Sequence, residues 1–320
     1  MSTRPLSLFG LGSSRAYAER IAAELNVALA PHEERGFEDA EHKARPLLDV
    51  RGHDTFVVHA LDGDAGQSPN DKLCRLLFFC GALRDAGAER VSAVVPYLCY
   101  ARKDRRTKPN DPIITRYVAA LFEAIGIDRV IAVEVHNVAA FENAFRRPTV
   151  HVDSAPLFAR HFASLLGEAP VVAVSPDAGG AKRVEQFRAA LEVLTERDVA
   201  SAYVEKFRSS GVVSGGRLAG DVRGRTAVIL DDLISTGTTL ARAAAACHAG
   251  GAARIFAAAA HGLFIGGAPG LLDCPLIERI AVLDTVPPAR LAAEAVAARL
   301  HVIASAPTVA RRIAELHDAA

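Results

Sequence analysis

No apolar run in the 320 residues approaches the ~20 needed to cross a bilayer. Net charge is absent too, with 37 basic residues balancing 37 acidic ones. Nucleic-acid and membrane-surface proteins need a basic footprint, so neither class is expected. Cysteine is sparse and scattered: Cys74, Cys80, Cys99, Cys247 and Cys274 form no CxxC pair and are odd in number. That argues against a zinc site or disulfide framework and favours a reducing compartment. The opening Met1-Ser2-Thr3-Arg4-Pro5 leads only into a short apolar stretch broken by Gly10 and Gly12, which is not a signal peptide. A soluble, cytoplasmic protein is the expectation.

Hydrophobic residues make up 50% of the chain, enough for a large core, and this length suits two domains of roughly 150 residues each. Short continuous apolar runs read as strands: Phe56–Val58, Val91–Val95, Val130–Val135, Val171–Val174, Thr226–Leu230 and Ile255–Ala259. Longer Ala/Leu-rich stretches between them read as helices: Ala16–Leu25, Asn70–Ala86, Ile114–Ala124 and Thr238–Ala249. Continuous apolar strands are buried on both faces, so the pattern predicts an α/β fold of two doubly wound parallel sheets. The polar Arg146-Arg147-Pro148-Thr149 segment sets the expected boundary, giving domains 1–148 and 149–320, with the C-terminal helix free to pack back on the first. Glu196–Gly224, with Ser209-Ser210-Gly211 and Ser214-Gly215-Gly216, reads as a mobile loop region flanking at most one short strand.

Chemistry concentrates where strands end. After Thr226–Leu230 come Asp231-Asp232, then Ser235-Thr236-Gly237-Thr238-Thr239 and a helix. Ligands bind at the carboxyl ends of parallel strands, and a hydroxyl-rich loop at a helix N-terminus offers N–H and O–H donors to a phosphate. The two acids suit vicinal hydroxyls or a nearby metal, so together the residues suit a sugar phosphate. The same residues also describe an N-capped helix after an acidic strand end. A second strand leads into Ser175-Pro176-Asp177-Ala178-Gly179-Gly180. Its glycines allow close approach to a pyrophosphate, and Asp177 suits Mg²⁺. An ordinary βα turn remains the alternative. Arg102-Lys103-Asp104-Arg105-Arg106 is either a polyphosphate-binding edge or a solvated loop. His136, after Val133-Glu134-Val135, is either structural or a ligand.

Taken in order, the motifs resemble the ribose-phosphate pyrophosphokinase (phosphoribosyl pyrophosphate synthase) family over nearly the whole chain. They are Phe37-Glu38-Asp39-Ala40-Glu41, Val50-Arg51-Gly52-His53-Asp54, Asn70-Asp71-Lys72-Leu73, Pro96-Tyr97 with Tyr100-Ala101-Arg102, Asp128-Arg129-Val130, His136, Pro176–Gly180 and Gly220-Asp221-Val222-Arg223-Gly224. The resemblance implies phosphoribosyltransferase-type domains and Mg²⁺-dependent transfer of pyrophosphate from ATP to the 1-hydroxyl of ribose 5-phosphate, leaving AMP. It implies that Asp231, Asp232 and Ser235, Thr236, Gly237, Thr238 and Thr239 bind ribose 5-phosphate. Asp177, Ala178, Gly179 and Gly180 would face the pyrophosphate, and His136 and Asp177 would hold Mg²⁺. ATP would contact Arg102, Lys103 and Asp104. Phe37, Asp39 and Glu41 would form an adenine-binding hairpin supplied by a neighbouring copy, which requires self-association. Lys206 and Arg208 would be loop cations acting in catalysis beside His136. A paralogue with altered sugar-phosphate or nucleotide specificity and a non-catalytic regulatory subunit are the alternatives.

Departures from the family pattern carry information. Lys103 stands where Gln is usual, Phe207 where Arg is usual, and Ser235 where Asp opens the loop. Asp49 replaces a Ser before Val-Arg-Gly, Val150 replaces an Asp, and a Ser-Val-Ser ending is missing. The last three belong to the family's phosphate and ADP regulatory site, and an acid at position 49 repels phosphate. The expectation is an enzyme without phosphate activation or allosteric ADP inhibition. A rate titration with both anions at saturating ATP checks it. Strong phosphate dependence, or ADP inhibition that does not compete with ATP, contradicts it.

Overall fold

The computed structural model describes residues 4–209 and 212–319, and the chain divides into two compact units: residues 1–152 with 305–320, and residues 153–304. In the first unit lie β1 (Leu6–Gly10), α1 (Arg15–Leu25), β2 (His32–Gly36), β3 (His42–Pro46), β4 (Asp54–Val58), α2 (Pro69–Asp85), β5 (Arg90–Val95), α3 (Ile114–Ala124), β6 (Arg129–Val133), α4 (Val138–Ala144) and β7 (Thr149–Val152). The second unit holds α5 (Ala155–Ala163), β8 (Val171–Ser175), α6 (Ala181–Thr195), β9 (Val199–Ser209), β10 (Val212–Ala219), β11 (Thr226–Ile234), α7 (Thr238–Ala249), β12 (Arg254–Gly262), α8 (Pro269–Leu272), β13 (Ile280–Leu283), α9 (Ala293–Arg299) and β14 (Leu300–Ile303). A last helix, α10 (Ala306–Asp318), returns to the first unit.

The first sheet is parallel throughout, in the order β1-β4-β5-β6-β7. The register Phe9–Val57–Ala93–Val130 runs across one face, and Leu73, Leu76, Cys80 and Leu83 of α2 with Val118 and Phe122 of α3 join it in one core. Leu8, Phe56, Val94 and Ile131 are buried as well. They point to the opposite face by strand alternation. There α1 packs so closely that a Cβ on Gly10 would meet Ala18 Cβ at 2.4 Å. Burial on both faces explains why these strands read as unbroken apolar runs. Pro69 opens α2 behind a capping box, in which Ser68 accepts from the Asp71 amide and Asp71 accepts from the Ser68 amide.

Thr149–Val152 falls in the first unit rather than the second, because β7 extends the first sheet beside β6. α10 is held there by specific contacts. Tyr17 Oη meets Ser305 Oγ at 2.8 Å. Arg129 donates to the Leu316 carbonyl at 3.1 Å. His317 Nδ1 lies 3.0 Å from Asp54 Oδ2, a fully buried carboxylate also paired with Arg90.

The second sheet runs β10-β9-β8-β11-β12-β13-β14, parallel except for the β9–β10 hairpin. That hairpin corrects the loop expected over 196–224. Its rim position explains why it was missed: Ala202 and Val204 are buried while Ser201 and Tyr203 are exposed, so no continuous apolar run marks it. Among the described residues no helix is long and apolar enough to cross a membrane.

His301 Nδ1 of β14 meets His161 Nε2 of α5 at 3.1 Å. Burial and the neighbouring His301 lower the His161 pKa from 6.5, and burial and Arg279 lower that of His301. Below about pH 6.5 the unfolded chain therefore takes up protons that the native pair resists, and stability is lost as pH falls through that range. Urea midpoints should drop more between pH 7.5 and 5.5 in the wild type than in His161→Asn. Equal drops would show that the pair does not contribute.

Candidate active site

In the second unit the chain leaves β8 toward β9 on one side, while β11 flanks β8 on the other. The loops after β8 and β11 therefore diverge at a switch point, where open α/β sheets bind ligands. Register Val174–Ile229 sets the two strand ends side by side. β11 does not stop at Leu230 but runs to Ile234, because the equally long β12 keeps pairing it through Leu233–His261 and Ile234–Gly262. Asp231 and Asp232 thus sit on rigid strand rather than in a loop. Asp232 N–H donates to Asp231 Oδ1 at 2.9 Å. Burial first, then the charge and hydrogen bond of Asp232, push the Asp231 carboxyl well above the usual carboxylate range, and only partly does Arg183 of α6 offset this.

The loop Ser235 to Gly237 delivers Thr238 and Thr239 as the first residues of α7. Gly237 has φ +79°, and a Cβ there would stand 2.4 Å from Leu271 Cβ, so the loop requires glycine on two counts. Ile265 N–H binds the Ser235 carbonyl at 2.9 Å, and Leu263 N–H binds that of Ile234 at 2.9 Å. Thr236 and Thr238 hydroxyls touch at 3.0 Å on the exposed side. Hydroxyls and first-turn amides thus cluster at a helix N-terminus.

Across the switch point, Asp177 caps its own turn. Its Oδ1 accepts from the amides of Gly179 and Gly180 at 2.9 and 3.3 Å. A Cβ at Gly180 would lie 2.6 Å from Ser175 Oγ, so Ser175, which donates to the Asp177 carbonyl, joins the set. Ala178 is exposed. The donor set fits Mg²⁺, which prefers hard oxygens and takes one or two carboxylates along with phosphate oxygens. The diacid adds two more hard-oxygen carboxylates on the adjoining strand.

In the first unit the β5–α3 loop exposes Arg102 and Lys103. Tyr100, at φ +61°, anchors it through its carbonyl, which accepts from Lys103 N–H at 3.0 Å and Thr115 Oγ at 3.1 Å. Asp104 accepts from Asn137 Nδ2 at 2.7 Å, which ties this loop to the end of β6 where His136 is exposed. Asn137 also caps α4, accepting from the Ala140 amide, an N-cap residue type legible in the sequence. The β2–β3 hairpin presents Phe37, Asp39 and Glu41 at its tip, beside a depression of about 630 Å³ lined by Arg35, Gly36, Phe37, Glu38, Asp39 and Glu41. Arg35 stacks over the Phe37 ring at 5.1 Å. The backbones of Lys206 and Arg208 lie in β9, opposite Gly216 and Val213, while their side chains lie outside the described residues. Asp49 binds the Arg51 side chain at 3.0 Å and its amide at 3.2 Å, so that guanidinium is already paired within its own loop.

A switch point carrying a diacid strand and a Ser/Thr/Gly loop at a helix N-terminus defines an α/β protein of the phosphoribosyltransferase class. Residues 6–126 match the model for the N-terminal domain of ribose phosphate pyrophosphokinase, 146–262 the phosphoribosyl transferase domain, and 213–319 the phosphoribosyl synthetase-associated domain. Ribose-phosphate pyrophosphokinase 1 of Streptococcus pyogenes serotype M1 is 32% identical over 320 residues, covering 99% of this chain and 96% of that one. The Streptococcus pneumoniae serotype 4 protein of that name is 32% identical over 292 residues, covering 89% and 87%. The crystal structure of phosphoribosylpyrophosphate synthetase from Mycobacterium smegmatis superposes with a TM-score of 0.89 at 30% identity, covering 99% of this chain and 100% of that one. The chain belongs to the ribose-phosphate pyrophosphokinase family.

The coupled diacid yields a prediction. A carboxyl pair that shares its charge titrates together. With the diacid assigned to ribose 5-phosphate, as proposed below, affinity for that sugar should change with pH in the neutral-to-alkaline range, strengthening as the pair ionises. Asp232→Asn removes the repulsion while leaving the burial, and should shift that titration to lower pH. A KM–pH profile of each form checks this, and an unmoved profile contradicts it.

Proposed function

We propose that this enzyme transfers the pyrophosphoryl group of ATP to the 1-hydroxyl of ribose 5-phosphate, giving phosphoribosyl pyrophosphate and AMP. The observation that carries the proposal is the pairing, on the switch-point strands, of a diacid with a hydroxyl loop at a helix N-terminus, in a chain that also has a complete N-terminal unit. A phosphoribosyltransferase consuming the product would have no use for the loop of Arg102, Lys103 and Asp104.

In this reading the loop from Ser235 to Thr239 holds the 5-phosphate, and Asp231 and Asp232 orient the ribose through its hydroxyls. Arg102, Lys103 and Asp104 hold the ATP phosphates. The tip residues Phe37, Asp39 and Glu41 receive the adenine of a neighbouring copy in a homo-oligomer. The 1-hydroxyl oxygen bonds to the β-phosphorus, the bond from that phosphorus to the oxygen bridging the α-phosphate breaks, and its electron pair leaves with AMP. The hydroxyl proton passes to solvent. Such transfers ask a protein mainly for alignment and charge neutralisation. Lys206 and Arg208 supply positive charge to the transferring group from β9. Asp177 is the residue of the second unit that would hold Mg²⁺, which when bound offsets phosphate charge.

Incubation with ATP, Mg²⁺ and ribose 5-phosphate should produce AMP in step with sugar consumption, and absence of AMP contradicts the reading. Lys206→Ala should lower kcat by at least a hundredfold while leaving ribose 5-phosphate affinity within about threefold, a loss confined to the transition state. An effect confined to KM would reduce Lys206 to a binding residue.

A further inference from the structure

Beneath the hairpin lies a network of charged and polar side chains that the proposed chemistry does not use. Glu34 of β2 accepts the Gly12 amide at 2.8 Å and meets His32 Nε2 at 3.1 Å, and Arg75 of α2 stands 4.0 Å away. Gly12 turns the chain from β1 toward α1 with φ +48°. In the same turn Ser13 Oγ donates to Asp64 at 3.1 Å, and Ser14 Oγ accepts from the Ala60 amide at 2.8 Å and meets His59 Nδ1 at 3.3 Å. Lys72 of α2 is 1% exposed and pairs with Asp62 at 3.1 Å and Asp64 at 2.9 Å. Burial, then the Lys72 charge, hold His59 neutral, with a pKa down to about 3. Burial opposes ionisation of Asp64, yet the Lys72 and amide bonds bring it down to about 2.

Four segments meet in this network: β2, the β1–α1 turn, the β4–α2 loop and α2. A second anchor is the stacking of His42 of β3 on Phe78 of α2 at 5.5 Å. The hairpin is a separate two-stranded sheet, and such ribbons are marginal in water without support. Its root is therefore fixed by charge, while its tip, three residues beyond Glu34, stands exposed. None of the network residues belongs to the unit that carries the sugar-phosphate loop.

We propose that Glu34, braced by Gly12, His32 and Arg75, is a positioning residue for the nucleotide end of the reaction, setting the angle at which the hairpin presents Phe37, Asp39 and Glu41. The inference rests on the reading of the hairpin tip as the adenine contact. Glu34→Ala should raise the KM for ATP at least tenfold while kcat and the KM for ribose 5-phosphate stay within twofold. Glu34→Gln keeps an acceptor for the Gly12 amide and should stay within threefold of wild type throughout. Hydrogen exchange at the Phe37 amide, which binds the Glu41 carbonyl at 2.8 Å, should lose at least tenfold protection in Glu34→Ala. Should Glu34→Ala not fold, Arg75→Met, which leaves Gly12 untouched, should move both readings in the same direction. An unchanged KM for ATP, or equal losses for both substrates, overturns the proposal. If the wild type forms no AMP, the exchange measurement stands alone, and unchanged Phe37 protection overturns the positioning role independently of the chemistry.

Discussion

Two carboxyl groups forced together at the end of β11 impose the main electrostatic constraint on the second unit. Asp231 and Asp232 sit on a strand that β12 keeps pairing as far as Ile234, and burial, together with the charge of Asp232, raises the Asp231 pKa. The surrounding features answer that charge: Arg183 supplies partial compensation, the Asp177 turn stands on the adjoining strand end, and the hydroxyl-rich loop follows the diacid directly. Leu271 and the Ile265 amide brace that loop from behind, so its geometry is set by packing before any ligand arrives.

The first unit solves a different problem, holding an exposed hairpin and a basic loop at defined places on a buried sheet. Polar contacts do both. Asn137 fixes Asp104, and the buried Lys72 with its two aspartates ties the α2 entrance to the turn that carries Gly12. Breaking one member of such a cluster leaves a buried charge unpaired, which costs several kcal/mol. That penalty makes the arrangement specific even where its net contribution to stability is small.

How much of this the sequence disclosed depends on whether the cause was local. The β11 strand, its diacid and the following loop were legible because an unbroken apolar run, two acids and a hydroxyl-rich helix start all lie within fourteen residues, Thr226 to Thr239. The β9–β10 hairpin was not, since its buried positions alternate with polar ones and Gly215-Gly216 interrupts them. Nothing local shows that Asp54 at the start of a strand would face His317 of α10, or that Asp62 and Asp64, between β4 and α2, would enclose a lysine. Those contacts come from chain topology. For the same reason β7 was assigned to the wrong side of the boundary: Arg146-Arg147-Pro148 marks a real break in pattern, but the strand after it completes the first sheet.

The central claim is the direction of group transfer, from the β-phosphorus of ATP to the anomeric oxygen. Phosphorus NMR of the enzyme with ATP, Mg²⁺ and ribose 5-phosphate labelled with ¹³C at C1 reads it directly. The account predicts an AMP resonance together with a coupled diphosphate pair, one member of which splits the labelled C1 signal. Accumulation of ADP, or a new phosphate ester without coupling to C1, would contradict it.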